Sequence, residues 1–145
     1  MTRSLTVRAA PSEHFAWIRE RTQCVVGPDF RAIEAVDAKG RIRGMVGFDG
    51  WWGNAAQMHV ALDTPTALRA LLGPAFDYVF NQCGKSIALG VVPSHNEKAL
   101  AFDQHIGFRE VHRVKDGWAP GDDVVFLELR KENCRWLRRK GGVSR

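Results

Sequence analysis

The sequence has 145 residues, of which 45% are apolar and 26% charged, and its formal net charge is +5. These values are typical of one globular domain with a sizeable core, and they exclude a disordered or fibrous chain. No apolar run is long enough to cross a bilayer, and the first residues lack the apolar segment of a secretory signal, so we expect a cytoplasmic protein. The cysteines (Cys24, Cys83 and Cys134) lie far apart and match no zinc-binding spacing, which favours reduced thiols and no metal site.

The net charge is concentrated at the end of the sequence. Residues 1–130 contain 15 basic and 15 acidic side chains, whereas residues 131–145 contain six basic side chains against Glu132. We therefore divide the chain into a neutral domain, 1–130, and a basic C-terminal tail, 131–145. Two interpretations of the tail are open: it contacts nucleic acid or an acidic partner, or it is a solvated end.

Alternating and helical patterns predict the elements of the first half in chain order. The stretch SLTVRAA predicts a strand, and Pro11 precedes a helix whose apolar face carries Phe15 and Ile18. Two alternating runs on either side of a turn at 37–40 predict a hairpin. After a loop at 51–54, the stretch AAQMHVALD predicts the next strand.

The second half begins with the strongest helical signal in the chain. An apolar stripe from Leu68 to Cys83 predicts a helix that Gly84 ends, with a kink at Gly73-Pro74 because proline cannot donate the helical hydrogen bond. The stretch SIALGVVP predicts a strand buried on both faces. A helix, SHNEKALAFDQHI, and a closing antiparallel pair, FREVHRVKDGW and DDVVFLELRK, follow. The order β-α-β-β-β-α-β-α-β-β predicts an α/β (α+β) domain with a mixed sheet and helices on both faces.

The helix after the buried strand has ordinary structural signals. Asn96 or Ser94 can cap it, Ala99 and Phe102 face the sheet, and Gly107 ends it. Taken alone, this pattern is that of a structural helix.

The same helix also carries a recognisable motif. Asn96, Ala99, the pair Phe102-Asp103 and Gly107-Phe108 resemble the late motif of the GCN5-related N-acetyltransferase (GNAT) superfamily, in which Asn and Ala are followed by a Tyr and then Gly-Phe. The order of elements over nearly the whole chain is similar to that family. The combination of FDYVFN, FDQHIGF and CRWL resembles, more narrowly, its small phage- and prophage-encoded members.

The resemblance implies the GNAT fold, a mixed and mostly antiparallel sheet with a central splayed pair of parallel strands, and acetyl-CoA as cosubstrate. Family members bind the CoA diphosphate with a glycine-rich loop before the long helix, but here ALDTPTALRALLG has no glycine before Gly73. A helix N-terminus still offers N–H groups to phosphate. The implied diphosphate site consists of the N-cap Thr64, the backbone of Thr66, Ala67 and Leu68, and the side chain of Arg69. A plainly capped helix with a solvated arginine is the other interpretation.

The resemblance also implies where the pantetheine arm of CoA lies. It would run between the strands QMHVAL and SIALGVV, next to the backbone of Val60 and Leu62. Asn96 would contact it from the other side, with Phe102 on the same helix.

Acetyl transfer needs an uncharged amine, a polarised thioester carbonyl and a proton for the departing thiolate. The resemblance implies a backbone N–H near Val60 at the carbonyl, and it puts Asp103 in the place of the family's proton-donating Tyr. A carboxyl donates a proton near neutral pH only if burial raises its pKa. Asp103 is therefore either an acid or a charge on the helix surface.

Three residues are candidates for the general base: His59, Glu34 and Asp49. His59 has the most suitable intrinsic pKa. Strand alternation puts it on the face opposite Met58 and Val60, so a structural role is the other interpretation. The remaining histidines are predicted to be surface residues (His14, His95, His105 and His112).

Trp51, Trp52 and Trp118 are predicted to lie in loops, where they either line an acceptor pocket or cap the core. Two functions follow. The first is an acetyl-CoA-dependent N-acetyltransferase acting on a primary amine of unknown identity. The second is a catalytically degenerate GNAT-fold binding protein, favoured by the glycine-free loop and by Asp103, and able to contact nucleic acid through residues 131–145. Members of the family are often dimers, so the resemblance also implies a homodimer.

Overall fold

A computed structural model describes residues 4–138, and their strands form one seven-stranded sheet in the order β1-β2-β3-β4-β5-β7-β6. The strands are β1 (Thr6–Ala9), β2 (Arg31–Val36), β3 (Ile42–Asp49), β4 (Ala55–Leu62), β5 (Ile87–Pro93), β6 (Arg109–Ala119) and β7 (Asp122–Arg130). The helices are α1 (Phe15–Thr22), α2 (Pro65–Phe76), α3 (Glu97–Ile106) and α4 (Arg135–Arg138). This confirms the predicted order of elements and the mixed sheet.

The middle of the sheet contains the feature that positions the site. All neighbouring strands are antiparallel except β4 and β5, which are parallel and pair only from Ala55–Ile87 to Gln57–Leu89. Beyond Gln57, β4 stays paired with β3 on its other side as far as Leu62, and β5 stays paired with β7 as far as Pro93. The two strands therefore diverge, which confirms the splayed parallel pair that the resemblance implies.

The long helix α2 begins as its sequence dictates and then changes type. The Thr64 hydroxyl accepts a hydrogen bond from the Ala67 N–H, and Pro65 takes the first helical position, where its missing N–H costs nothing. Three residues after Pro74, the chain continues as a π-helical segment, Asp77–Gln82. Gly84 follows it with a left-handed φ of 72°, as predicted for the end of this helix. None of the helices in residues 4–138 has the length and hydropathy needed to span a bilayer.

Two apolar clusters cover the two faces of the sheet, because successive residues of a strand point to opposite sides. Met45 belongs to the cluster under α1, whereas its neighbour Val46 belongs to the cluster under α2. The larger side chains of the α2 cluster are Phe48, Phe76, Phe80 and Leu127, and those of the α1 cluster are Ile18, Phe30 and Met45.

The start of the predicted basic tail packs onto the domain. Cys134 is buried, the Trp136 indole N–H donates to the Ile106 carbonyl at 2.8 Å, and the Arg135 guanidinium donates to the His105 carbonyl at 2.7 Å. These contacts attach residues 134–136 to the end of α3. The side chains of the other basic residues from 138 onward lie outside the described part of the chain, and the division at residue 130 stays a prediction.

Candidate active site

The divergence of β4 and β5 opens a cleft of about 890 Å³. Its walls come from the facing parts of these strands, α3 as far as Asp103, the end of α1 with the segment after it, and the end of β6. Seven of the candidate catalytic and cofactor-binding residues predicted from the sequence line it together: Asp49, His59, Val60, Leu62, Asn96, Phe102 and Asp103. Among residues 4–138, no strand pairs with the edges of β4 and β5 that face the cleft beyond Gln57 and Leu89, so an extended ligand would meet free backbone donors and acceptors there.

A histidine–carboxylate pair lies on one wall of this cleft. His59 Nε2 is 2.9 Å from Asp49 Oδ1, and both side chains are mostly buried, with 16% and 20% of their surface exposed. A carboxylate oxygen only accepts hydrogen bonds, so the pair holds the proton on Nε2 and leaves the lone pair on Nδ1. His59 lies on the face opposite Met58, as strand alternation predicts.

The ring of Phe30 also holds the imidazole, and it fits there because residue 47 is a glycine. Phe30 stacks on His59 with a centroid separation of 6.1 Å and an interplanar angle of 25°. Gly47 of β3 is the cross-strand partner of His59, and a Cβ at Gly47 would lie 2.2 Å from the Phe30 ring. The absence of a side chain at this position therefore gives Phe30 its place beside His59. Neither Phe30 nor Gly47 was singled out from the sequence. A glycine in a strand indicates that another group approaches the backbone closely, but it does not indicate which group.

Asp103 projects from α3 into the cleft from the side of β5. Burial raises the pKa of its carboxyl from 3.8 to about 6, because the charged form loses hydration. Its Oδ2 is only 3.1 Å from the point where a Cβ would stand on Gly90, so that glycine leaves room for the carboxyl. The carboxyl has no hydrogen-bond partner in residues 4–138. A carboxyl in this state still carries a proton at mildly acidic pH and can donate it.

Asn96 caps α3 and also lines the cleft, and its contact with the pantetheine arm stays a prediction. Its Oδ1 accepts the Ala99 N–H at 3.1 Å, which makes it the N-cap of α3, and the residue also lines the cleft. Its amide NH₂ group is not part of the cap.

Ser94, the other predicted cap, binds elsewhere. Its hydroxyl donates to Asp122 Oδ1 at 3.0 Å, while His95 Nδ1 lies 2.5 Å from Asp122 Oδ2. The His95 hydrogen bond is the main reason that the pKa of Asp122 is below its ordinary value. These bonds tie the start of α3 to the β6–β7 hairpin. His95 is exposed, as predicted, but it also lines the cleft.

The structure separates Glu34 from the other candidate bases. Its side chain is fully buried, with one oxygen 2.8 Å from Arg8 Nε and the other 2.8 Å from His14 Nδ1. It is not among the described residues that line the cleft. Its contacts are those of a buried ion pair next to the edge strand β1.

The predicted diphosphate site at the start of α2 has fewer available backbone N–H donors than the start of a helix usually offers. The Ala67 N–H already bonds to Thr64, and Pro65 has no N–H. Arg69 is exposed and has no carboxylate partner in the described chain. None of the residues predicted for this site lines the cleft itself (Thr64, Thr66, Ala67, Leu68 and Arg69). The diphosphate site stays a prediction.

The three tryptophans have different environments. Trp51 is in a loop as predicted, and it packs against Phe48 and the α2 cluster. Trp52 is 66% exposed and does not line the cleft. The prediction of a loop is wrong for Trp118, which lies in β6 because the β6–β7 hairpin continues past the register shift at Val114. Trp118 is 54% exposed and lines the cleft.

The architecture is that of the GNAT acetyltransferases, a fold that the splayed β4–β5 pair already indicates. Among solved structures, this chain is similar to mutant forms of the spermidine/spermine N-acetyltransferase SpeG from Vibrio cholerae, with a TM-score of 0.72 at 17% identity over 94% of this chain and 99% of that one. A structure of that enzyme with manganese ions gives a TM-score of 0.69 at 17% identity, covering 94% and 96% of the two chains. Its dodecameric form gives 0.68 at 17% identity, covering 94% and 98%.

The two comparisons made on sequence found no match, neither among protein-family models nor among curated proteins. At the identities above, the likeness to solved structures shows the fold alone. The predicted phage or prophage character stays a prediction.

Proposed function

We propose that the protein is an acetyl-CoA-dependent N-acetyltransferase that acetylates a primary amine. The observation that carries this proposal is that the His59–Asp49 pair and the protonatable Asp103 line one cleft, at the divergence of two strands in an acetyltransferase fold. A base for the amine and an acid for the leaving thiolate are the two proton-transfer groups that this reaction uses.

The cleft fits the cosubstrate that the fold implies. Bound acetyl-CoA supplies the acetyl group as a thioester. The free edge of β4 at Val60 and Leu62 would hold the pantetheine arm as an added strand holds to a sheet, with Asn96 and Phe102 on the opposite wall. The backbone at the start of α2 and the Arg69 guanidinium would hold the diphosphate.

His59 acts as the general base in this proposal. Asp49 fixes the imidazole with its proton on Nε2, so that Nδ1 takes a proton from the acceptor amine as nitrogen attacks the thioester carbon. The backbone N–H near Val60 stabilises the negative charge that develops on the carbonyl oxygen.

Asp103 acts as the general acid. As the C–S bond breaks, the carboxyl gives its proton to the departing sulfur, so the products are the N-acetylated amine and CoA with a free thiol. Exchange with solvent then returns a proton to Asp103 and removes one from His59. This role is possible because burial keeps part of the Asp103 population protonated near pH 6.

The test is turnover with acetyl-CoA over a panel of amines, followed by mass spectrometry of the products. We expect His59→Gln to lower kcat by about 100-fold or more, within the range for loss of a general base. Exposed His105, which lies outside the cleft, provides the matched control, and His105→Gln is expected to leave kcat unchanged.

The kcat of the unsubstituted enzyme should fall as pH rises above the pKa of Asp103, because the acid becomes ionised. Asp103→Asn should remove this limb of the profile. A folded protein that acetylates no amine in the panel would refute the proposal.

The degenerate binding protein remains a second candidate, favoured by the occupied Ala67 N–H and the glycine-free loop. Such a protein would turn nothing over, and it would have no use for the buried carboxyl of Asp103 in the cleft. We therefore favour the enzyme.

We further propose a cytoplasmic location and a homodimer. Contact of residues 131–145 with nucleic acid would be lost with that segment and would weaken steeply with salt.

A further inference from the structure

The charges that line the cleft do not suit a polycation. Only two acidic residues line it among residues 4–138: Asp49, which is bonded to His59, and Asp103, which burial keeps partly protonated. Arg21 and Lys98 add two permanent positive charges to the same walls. Arg21 is paired with Asp63, but Lys98 has no carboxylate partner in the described chain.

A polyamine would bring several positive charges into this cleft. Buried or partly buried ammonium groups need carboxylate partners to offset their lost hydration. One of the two carboxyl groups of the cleft is already engaged with His59, and the other, Asp103, has to hold a proton to serve as the acid. A single amine can be bound here as its neutral form next to His59, whereas the further ammonium groups of a polyamine would have no partners.

The uncharged part of the cleft wall is apolar and open. Val25 and Trp118 are 81% and 54% exposed, and both line the cleft. Large apolar side chains that stay exposed in a concave site are typical of a surface that binds an apolar ligand group. Val25 is on the His59 side of the sheet, because its neighbours Cys24 and Val26 pack against the cluster that contains Phe30.

The Trp118 wall is fixed rather than loose. Trp118 lies beside Ala119, the cross-strand partner of Asp122, and Asp122 is bonded to both Ser94 and His95 at the start of α3. The hairpin end that carries the indole is therefore held at a defined distance from the helix that carries Asp103.

We propose that the acceptor is a monoamine with an aromatic or branched apolar body, which packs between Trp118 and Val25 while its amine reaches His59. This inference rests on the proposed function and names the substrate class of that site. It differs from the acceptor named for the structural neighbours, which is spermidine.

The experiment compares 2-phenylethylamine with spermidine as acceptors for the full chain. The products are quantified by mass spectrometry, because the free cysteines, among them Cys24 in the cleft wall, would react with thiol reagents. We expect kcat/KM for 2-phenylethylamine to exceed that for spermidine at least tenfold. Trp118→Ala should raise the KM for 2-phenylethylamine about tenfold, or ~1.4 kcal/mol, with kcat within about twofold. Trp52→Ala, which removes an exposed indole outside the cleft, is the matched control and should change neither value.

Charge is tested separately by Val25→Glu, which adds a carboxylate to the wall. It should raise the KM for 2-phenylethylamine and lower that for spermidine, whereas Val111→Glu, at an exposed position outside the cleft, should do neither. If spermidine is the better acceptor, or if Trp118→Ala acts like Trp52→Ala, the enzyme stands and the monoamine inference is wrong. If neither these amines nor the wider panel is acetylated, the proposed function itself has failed.

Discussion

The burial of Asp103 should be measurable as a pH-dependent loss of stability that Asp103→Asn removes. The carboxyl has a pKa of about 6 in the folded protein, compared with an ordinary value of 3.8. At about 1.4 kcal/mol for each pKa unit, this difference corresponds to about 3 kcal/mol. Asparagine has nearly the same shape and carries no charge, so it should avoid this cost.

The sign of the effect follows from proton binding. Between pH 3.8 and about 6, the folded protein holds a proton on Asp103 that the unfolded chain has already lost. The contribution of Asp103 to stability is therefore complete below pH 3.8, falls as pH rises through about 6, and stays low above that. Relative to the unsubstituted protein, Asp103→Asn should have little effect near pH 4 and should stabilise by up to about 3 kcal/mol at pH 8.

The assay is urea unfolding followed by tryptophan fluorescence at several pH values from 4 to 8. Differences between the variant and the unsubstituted protein cancel the titration of all other groups. Asp29→Asn, at an exposed aspartate, is the matched control and should give a difference that does not vary with pH. If the difference for Asp103→Asn were also flat across this range, Asp103 would not be a buried carboxyl, and its role as the acid would be refuted.

Further predictions concern the supports of the site. Because Asp49 orients His59, Asp49→Asn should lower kcat about tenfold with little change in the KM for the amine; an unchanged kcat would contradict this positioning role. Loss of the cap in Asn96→Ala should reduce the free energy of unfolding by about 1 kcal/mol and weaken acetyl-CoA binding measured by calorimetry, and a variant with unchanged affinity would leave Asn96 a cap only. Gly47→Ala puts a Cβ against Phe30, so we expect a destabilisation of about 2 kcal/mol in urea and a lower kcat; full activity would show that the stacked ring does not matter. Trp136→Ala should destabilise the domain by about 2 kcal/mol, since its packing and its hydrogen bond to the end of α3 are lost, whereas a free tail would give no change.

The sequence predicted the order of elements because each element carries its own local signal. The stripe of α2, the capping Thr64 and Asn96, and the terminating Gly84 all act within a few residues of their position, and the structure has them in those roles. The resemblance supplied the splayed pair of strands, which no local pattern encodes. The cleft wall formed by Val60, Leu62, Asn96 and Phe102 follows from that topology.

The rest depended on contacts between distant parts of the chain. His59 and Asp49 meet because β3 and β4 pair in one particular register, and Glu34 is separated from them because Arg8 and His14 bind both of its oxygens. The pKa of Asp103 depends on how much of the carboxyl is buried, which its position in the motif does not determine. Trp118 lines the cleft because the β6–β7 hairpin is long and because Asp122 fixes its end to the start of α3. The sequence pattern does not reveal this contact between the hairpin and the helix.

The central claim, that acetyl-CoA binds between β4 and β5, is tested most directly by amide hydrogen exchange of the protein with and without acetyl-CoA. An arm that pairs with the free edge of β4 should slow exchange about tenfold or more in residues 58–62, with further protection in 96–99 at the start of α3. Residues 109–114 in the first part of β6, which do not line the cleft, serve as the internal reference. Protection at the strand edge would establish the cleft as the cosubstrate site. If saturating acetyl-CoA left the exchange rates of residues 58–62 unchanged, the claim that it binds between β4 and β5 would be contradicted.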